Sequence, residues 1–174
     1  MSLLLVAYPE LEWADYGRIQ ECRKVNDKQH AIIDPHYTLV FPVDDISLTD
    51  FADEIKKQLA GVKAISVCLR NASVIKDDFS ETWHTFLVPD EGYEEIVELH
   101  DKLYADGLAP HHRHDIKYIP HITIATSVDQ SVCKRIAESW MAEGVNIRGS
   151  ISFLDIISYE NAVASHVSKV NLAF

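Results

Sequence analysis

The sequence predicts an α+β fold, a bilobal tandem of two β-α-β-α-β units whose mainly antiparallel sheets surround a central cleft. Three observations support this prediction. Short β-branched and aromatic runs alternate with segments in which apolar residues recur at helical spacing. Proline or glycine closes many of these segments. Marker pairs recur along the chain at a nearly constant separation, which indicates an internal duplication.

The first unit, predicted over about residues 2–80, alternates strand and helix. Its elements are a strand at about 2–8, a helix at 10–25, a strand at 36–42, a helix ending near 60, and strands at 64–69 and 73–75. Pro9 closes the first strand because it cannot donate to a sheet. Ser47 or Thr49 can cap the second helix, and Gly61 marks its end. In the first helix, charged residues fill the gaps between apolar positions, which is typical of an amphipathic helix.

The second unit, predicted over about residues 83–174, repeats this order. Its elements are a strand at about 83–88, a helix at 91–105, a strand at 117–126, a helix at 129–143, and closing strands from 150 and near 167–172. Three marker pairs recur at separations of 80, 85 and 86 residues: Pro9-Glu10 with Pro89-Asp90, Pro35-His36 with Pro120-His121, and Ile65-Ser66 with Ile151-Ser152. The small, steady drift is what loop insertions would produce. We therefore treat residues 1–174 as a single bilobal domain.

Composition narrows the classes of function. The 174 residues are 47% hydrophobic and 25% charged, a balance typical of soluble globular proteins. The formal net charge of −11 argues against a broad electrostatic grip on duplex nucleic acid, although a small anionic ligand is compatible with it.

Location is predicted from the cysteines and the apolar runs. Three widely spaced cysteines favour reduced thiols over a disulfide framework. The apolar run 3–7 is too short for a signal sequence, and no stretch is long enough to span a membrane. We expect a cytoplasmic protein that does not engage membranes, and we expect a monomer.

Two short motifs carry the candidate chemistry: Pro35-His36-Tyr37-Thr38 and Pro120-His121-Ile122-Thr123. In a strand, alternate side chains share a face, so each histidine points the same way as the threonine two positions later. A pseudo-twofold between the two units would bring both histidine–threonine pairs to one groove.

Two histidines on opposite sides of a small anion suit acid–base phosphoester chemistry. A neutral imidazole can take a proton while a protonated one donates, because the reference pKa of histidine lies near 6.5. Threonine hydroxyls can donate hydrogen bonds to phosphate oxygens. This chemistry requires no metal or cofactor. A single His-x-Thr in a strand is more often a buried structural histidine than a catalytic one, but two copies at matching positions of a repeat favour function.

The paired motifs resemble those of the 2H phosphoesterase superfamily, which includes 2′-5′ RNA ligase-like proteins and cyclic nucleotide phosphodiesterases. The resemblance implies that His36 and His121 are the catalytic acid and base and that Thr38 and Thr123 bind phosphate. It also implies opening of a 2′,3′- or 1″,2″-cyclic phosphate without a metal. One departure is Ile119, where the family often has a basic residue before the second Pro-His.

Four further residues are candidates for substrate contact. Lys117 and Arg113 can replace the missing basic residue if their loop permits it. His84 can point into the groove, with Trp83 then facing the other way, and core packing is an equal alternative for Trp83. A nearby histidine-rich loop has no second group of ligands in the sequence, so we interpret it as a solvated loop rather than a metal site; its members are His111, His112, His114 and Asp115.

The sequence leaves three functions open. The first is hydrolysis of a cyclic phosphate on a small nucleotide or an RNA end, in RNA processing. The second is 2′-5′ ligation of RNA ends by the same residues acting in reverse. The third is a nucleotide or RNA-end binding module without turnover, although two titrating histidines are not needed for binding alone.

Overall fold

The computed structural model describes residues 1–173. Within them, nine strands and four α-helices follow one another in chain order. The strands are β1 (Ser2–Ala7), β2 (Glu10–Leu11), β3 (Tyr37–Val43), β4 (Ile65–Lys76), β5 (Trp83–Glu91), β6 (Ile122–Ser127), β7 (Ile147–Ile151), β8 (Phe153–Glu160) and β9 (Val163–Asn171). The helices are α1 (Trp13–Asn26), α2 (Leu48–Leu59), α3 (Tyr93–Leu103) and α4 (Gln130–Glu143), with a 3-10 turn at Asp106–His111.

The strands form two sheets in which neighbouring strands are antiparallel. One sheet has the order β3-β1-β8-β9 and the other has the order β2-β7-β4-β5-β6. The chain does not fill one sheet before starting the other. β1 and β3 belong to the first sheet, β2 and β4 to β7 belong to the second, and β8 and β9 return to the first, where β8 pairs with β1 and β9 pairs with β8. The chain therefore passes repeatedly between the two sheets.

The predicted fold class is confirmed. The element orders β1-α1-β3-α2-β4 and β5-α3-β6-α4-β7 are the two β-α-β-α-β units. The division of the chain near residue 80 stays a prediction, and residue 174 lies outside the described residues.

Several predicted boundaries change. The strands expected at 64–69 and 73–75 are one continuous strand, β4. The strand expected from 117 begins at Ile122, because residues 117–121 approach the sheet without joining its ladder.

Strand β1 is apolar on both of its faces. Leu3, Leu5 and Ala7 point from β1 into the main core shared with the helices. Leu4 and Val6, on the opposite face, form a second cluster with Ile157 of β8. Because the period of a strand is two, this continuous apolar run is what a strand buried on both faces requires.

Helix ends are set by local chemistry. The Ser47 hydroxyl accepts a hydrogen bond from the main-chain N–H of Asp50 at 3.1 Å, which confirms Ser47 as the N-cap of α2. Gly92 precedes α3 with a φ of +85°, and a Cβ there would lie 2.4 Å from the carbonyl oxygen of Ser66. Only glycine fits this position. Because a positive φ is not helical, α3 begins at the next residue, Tyr93.

The helices pack on the outside of the sheets. The longest, α1 and α4, have 14 residues each, and among residues 1–173 we find no helix with the length and apolar character needed to cross a membrane. α1 departs from the amphipathic pattern expected of it, since Arg23 is buried with Ile19 while Trp13 is exposed and stacks on Tyr16.

Candidate active site

Both histidine–threonine pairs line a single cleft. His36 and His121 each stand one residue before a strand, β3 and β6 respectively, and the threonine two positions later lies inside that strand. The side chains of His36, Thr38, His121 and Thr123 contribute to the wall of one cavity of about 400 Å³. Residues of both sheets contribute to this wall. The fold therefore brings the four strongest sequence candidates together.

The two imidazoles are held in the same way. The Nδ1 atom of His36 lies 2.7 Å from the carbonyl oxygen of Asp34, and that of His121 lies 2.6 Å from the carbonyl oxygen of Ile119. A carbonyl oxygen only accepts hydrogen bonds, so Nδ1 carries the proton in each ring. Nε2 is then the nitrogen that remains for a ligand, and in the neutral ring it has a free lone pair.

The proline before each histidine accounts for this geometry. A proline fixes its own φ and restricts the preceding residue to extended conformations. Pro35 and Pro120 are both buried, and each stands between its histidine and the residue whose carbonyl holds the ring. The motif thus positions the imidazole through the backbone, without a carboxylate partner.

Burial keeps both histidines neutral. It lowers the pKa of His121 to about 4, against the opposing effect of the Ile119 carbonyl and with a further decrease caused by the proximity of His36. It also lowers the pKa of His36, with the Asp34 carbonyl acting in the opposite sense. At neutral pH the free cleft therefore presents two unprotonated Nε2 atoms to an incoming group.

A stack of three rings forms one wall of the cleft. The rings of Phe86 and His121 are parallel within 14°, with centroids 3.6 Å apart, and the ring of His84 also stacks on Phe86, with centroids 5.4 Å apart and planes 20° apart. The Nδ1 atom of His84 lies 3.2 Å from the hydroxyl oxygen of Thr126. Phe86 was not among the site residues predicted from the sequence. The signal for it was the alternation of β5, in which residues 84 and 86 share a face.

Two tyrosines contact the motifs. The Tyr8 ring meets His36 edge to face at 6.2 Å, and the hydroxyl of Tyr118 donates a hydrogen bond to the main-chain carbonyl of Thr38 at 3.0 Å. Tyr118 also lines the cleft. It ties the segment that leads to His121 directly to the strand of the first motif.

The four further candidates for substrate contact divide into two groups, one in the cleft wall and one outside it. His84 and Lys117 line the cleft, and Lys76 adds a second ammonium group to its rim. The main-chain carbonyl of Trp83 accepts from the Cys133 thiol, and its side chain lies on the opposite strand face from His84, as the alternation predicts. Arg113 lies beside the cleft, where it donates two hydrogen bonds to Asp115, at 2.7 and 2.8 Å.

The cleft continues into an apolar side cavity of about 260 Å³. His36, Thr38, Phe41 and Gln29 line both spaces, so the cavity opens directly beside the first motif. The rest of its wall is apolar or aromatic; it consists of Leu4, Ile32, Ile33, Pro42, Ile157, Tyr159 and Ala164.

Residues 9–162 match the family model of the 2′-5′ RNA ligase superfamily, which is most of the chain and includes both motifs. The chain belongs to this superfamily. The resemblance to 2H phosphoesterases that the motifs carry is thereby confirmed, and membership supports an enzyme of the phosphoesterase or ligase type.

Relatives and solved structures agree with this assignment. A Staphylococcus haemolyticus protein that bears a phosphoesterase name is 26% identical over 162 residues, which cover 92% of this chain and 91% of that protein. The fold is similar to the crystal structure of TT0787 from Thermus thermophilus, with a TM-score of 0.63, 12% identity and coverage of 99% and 98%. It is also similar to Escherichia coli LigT, with a TM-score of 0.58, 14% identity and the same coverage. LigT has been crystallised with ATP and with 3′-AMP.

Proposed function

We propose that this member of the superfamily is a metal-independent phosphodiesterase that opens a 2′,3′- or 1″,2″-cyclic phosphate on a nucleotide or an RNA end. The observation that carries the proposal is the shared cleft, in which two imidazoles with free Nε2 atoms each stand beside a threonine hydroxyl. We propose further that it acts in the cytoplasm, in RNA processing, and as a monomer.

The reaction uses the four motif residues in matched roles. The hydroxyls of Thr38 and Thr123 donate hydrogen bonds to the non-bridging oxygens of the cyclic phosphodiester. One neutral imidazole takes a proton from water as its oxygen bonds to phosphorus. The other imidazole, in its protonated form, gives a proton to the ribose oxygen as the ring P–O bond breaks. The product is an open phosphomonoester, and the two histidines end with their proton states exchanged.

The acid must gain its proton when substrate binds. Burial lowers the pKa of both His36 and His121, so neither is the acid in the free cleft at neutral pH. A phosphate anion beside the rings supplies an opposite charge and raises their pKa. The substrate therefore brings about the protonation state that its own cleavage requires. Lys76 and Lys117 also line the cleft, but so do Asp77 and Asp78, so these four side-chain charges offset one another and the imidazolium supplies the main attraction for the anion.

The side cavity favours a nucleotide substrate. It is lined mainly by apolar side chains and adjoins His36 and Thr38, which suits a planar base attached to the reacting phosphate. The fold neighbour LigT binds 3′-AMP and ATP in its crystal structures. The net charge of −11 favours a small substrate or a short RNA end over a long duplex.

The test is hydrolysis of 2′,3′-cyclic nucleotides in the presence of EDTA. We expect turnover by the wild type and a loss of at least about 10²-fold in kcat/KM for His36→Ala and for His121→Ala. His30→Ala is a matched control, since it removes a partly exposed histidine from the loop between α1 and β3. Full activity in both motif variants would exclude the mechanism.

Ligation of RNA ends is a second candidate, favoured by the superfamily to which the chain belongs. The same residues would then activate a 5′-hydroxyl in place of water and join it to a 2′,3′-cyclic phosphate. A labelled pair of RNA halves tests this candidate. Joined product that requires both histidines would favour ligation, whereas binding without either product would favour a silent binding module.

A further inference from the structure

A second group of histidines lies on and next to α3, and its members do not line the cleft. His100 on α3 is 2% exposed, and its Nδ1 lies 2.8 Å from the carbonyl oxygen of Leu39. The proton is therefore on Nδ1, and Nε2 is the nitrogen left for a ligand. A backbone carbonyl bound to the second nitrogen is the support that metal-binding histidines commonly have, since it fixes the tautomer and the ring orientation.

The histidine-rich loop supplies the neighbours of His100. The His112 ring meets the His100 ring edge to face with centroids 5.5 Å apart, and it also stacks on Tyr104 at 4.7 Å. Asp101, the residue after His100, has an exposed carboxylate. One donor atom from each of His100, Asp101 and His112 lies within 4.8 Å of the other two.

We propose that His100, Asp101 and His112 bind a divalent transition metal ion of the zinc class. Two imidazole nitrogens and one carboxylate oxygen are a ligand set that Zn²⁺ accepts, with solvent in the fourth position. Ligand atoms on a tetrahedral zinc ion are about 3.4 Å apart at Zn–N distances of 2.0–2.1 Å. The donor atoms must therefore approach one another by up to about 1.4 Å, through movement of the loop that carries His112 and rotation of the exposed Asp101 side chain. Because Asp101 is exposed and His112 is half-buried, an ion can reach it from solvent.

The position of the site indicates a structural role. The His100 ring stacks on Tyr118 with centroids 3.6 Å apart and planes within 2°. Tyr118 in turn donates to the Thr38 carbonyl and lines the cleft. A metal ion would therefore fasten the loop before the second motif to α3, at the point where that loop contacts the first motif. It would not contact the phosphate, so this site is compatible with metal-independent chemistry.

The site needs the fold in order to be recognised. The loop histidines have no second ligand group near them in sequence, and His100 alone on a helix is more often a buried structural residue. Packing of α3 against β3 brings His100 next to the loop, and the Leu39 carbonyl then orients its ring. Neither contact follows from local sequence spacing.

The experiment uses the full chain without a polyhistidine tag, freed of metal by EDTA and then dialysed. Co²⁺ is titrated and followed by its visible absorption, and Zn²⁺ is titrated by calorimetry. We expect one ion per chain, and we expect Asp101→Asn and His112→Ala each to weaken binding at least about tenfold, since loss of even a supporting residue costs 10–100-fold. His111→Ala is the control, because His111 is in the same loop but faces Asp45 at 3.5 Å.

A second readout keeps the test independent of activity. Zn²⁺ should raise the unfolding temperature of the wild type and of His111→Ala, because an ion that binds only the folded state stabilises it. At the same zinc concentration the increase should be smaller for Asp101→Asn, because its binding is weaker, and this exposed substitution does not threaten folding. No stoichiometric binding by the wild type, or equal binding by all the variants, would overturn the proposal.

Discussion

The ring of Phe86 lies face to face with the ring of His121, with centroids 3.6 Å apart and planes 14° apart. This stacking covers one face of the imidazole. Because Phe86 is itself only 9% exposed, water is kept away from that face. The Ile119 carbonyl fixes the same ring through Nδ1 at 2.6 Å. The direction of the His121 Nε2 atom and its lowered pKa therefore both depend on a residue outside the motif.

Replacing Phe86 with leucine should impair catalysis more than binding. The smaller side chain leaves the imidazole free to rotate and admits water, and a displacement of about 1 Å at a reacting group can cost up to about 10²-fold. We expect kcat on a 2′,3′-cyclic nucleotide to fall about tenfold or more. We also expect the limb of the kcat/KM profile that reports His121 to move to higher pH, because the pKa of His121 rises as its burial decreases.

Phe153→Leu is the control for this change. Phe153 is a strand residue of β8 whose ring is covered by the Lys169 ammonium group at 3.5 Å, away from the cleft lining. It should leave kcat and the pH profile unaltered. An unchanged profile in Phe86→Leu would mean that the stack does not control His121.

The fold class and the meeting of the two motifs could be predicted because their signals are local. Period-two alternation assigns His36 and Thr38 to one strand face, and the same rule applies to His121 and Thr123. The prolines fix the conformation before each histidine. The recurrence of both patterns at a constant separation then implies a symmetric arrangement, which the element order of the structure follows.

The contacts that refine the site depend on register and could not be predicted. Phe86 lies opposite Thr123 across β5 and β6, next to a register shift between Thr85 and Phe86. A shift of one residue reverses which face each side chain occupies, so local spacing cannot assign the partner of His121. Tyr118 was likewise placed inside a strand, whereas the structure has it in the approach to β6.

The burial of Arg23 could not be predicted either, for a different reason. Its helical position predicts a charged residue among solvated neighbours, yet it is 2% exposed. It is buried because three acceptors meet its guanidinium group: the Asp27 carboxylate at 2.8 Å, the Ile33 carbonyl at 2.8 Å and the Gln20 side chain at 3.2 Å. These partners come from the loop after α1 as well as from the helix, and the helical pattern carries no information about that loop.

Anion binding should raise the pKa of both motif histidines. Burial lowers both, and that of His121 to about 4, while a bound anion stabilises the charged form. The pKa values can be measured from the imidazole Cε1–H signals in proton NMR, with and without sulfate, which does not titrate near neutral pH. We expect values below 6.5 in the free protein and higher values with sulfate. His30 serves as the internal control, and equal responses of all three would contradict a specific anion site.

Neutral His121 should make the fold less stable in mild acid. Its pKa is lower in the folded state, at about 4, than the ordinary value of 6.5, so the unfolded state binds more protons between these values. The contribution to stability is fully present above pH 6.5 and is lost as the pH falls toward 4. Urea unfolding at a series of pH values measures the free energy of unfolding across this window.

The comparison variant for this effect is His121→Gln. Glutamine does not titrate, so the variant should have a shallower decline between pH 6.5 and 4, by at most about one proton in the linkage slope. Carboxylates contribute equally to both proteins, and the difference between the two curves isolates residue 121. Identical curves would mean that His121 titrates normally in the folded protein.

Removal of one partner from the buried ion pair between Arg23 and Asp27 should strongly destabilise the loop that holds His36. Side-chain exposures are 2% and 3%, and the Nε–Oδ2 distance is 2.8 Å. Arg23→Met removes the cation and leaves the carboxylate buried, which costs about 3–5 kcal/mol in the free energy of unfolding. The Ile33 carbonyl also loses its hydrogen-bond donor. The next residue, Asp34, is then held less firmly, and its carbonyl is the one that orients His36.

Arg148→Met tests whether the effect comes from burial or from charge. Arg148 pairs with Glu91 at 3.3 Å, but its side chain is 65% exposed, so the loss should be at most about 1 kcal/mol. Adding Asp27→Leu to Arg23→Met should recover part of the lost stability, because it removes the unpaired buried charge. If the double variant is less stable than the single one, the Asp27 carboxylate stabilises the loop mainly by accepting a hydrogen bond from the main-chain N–H of Gln29, and the ion pair is secondary.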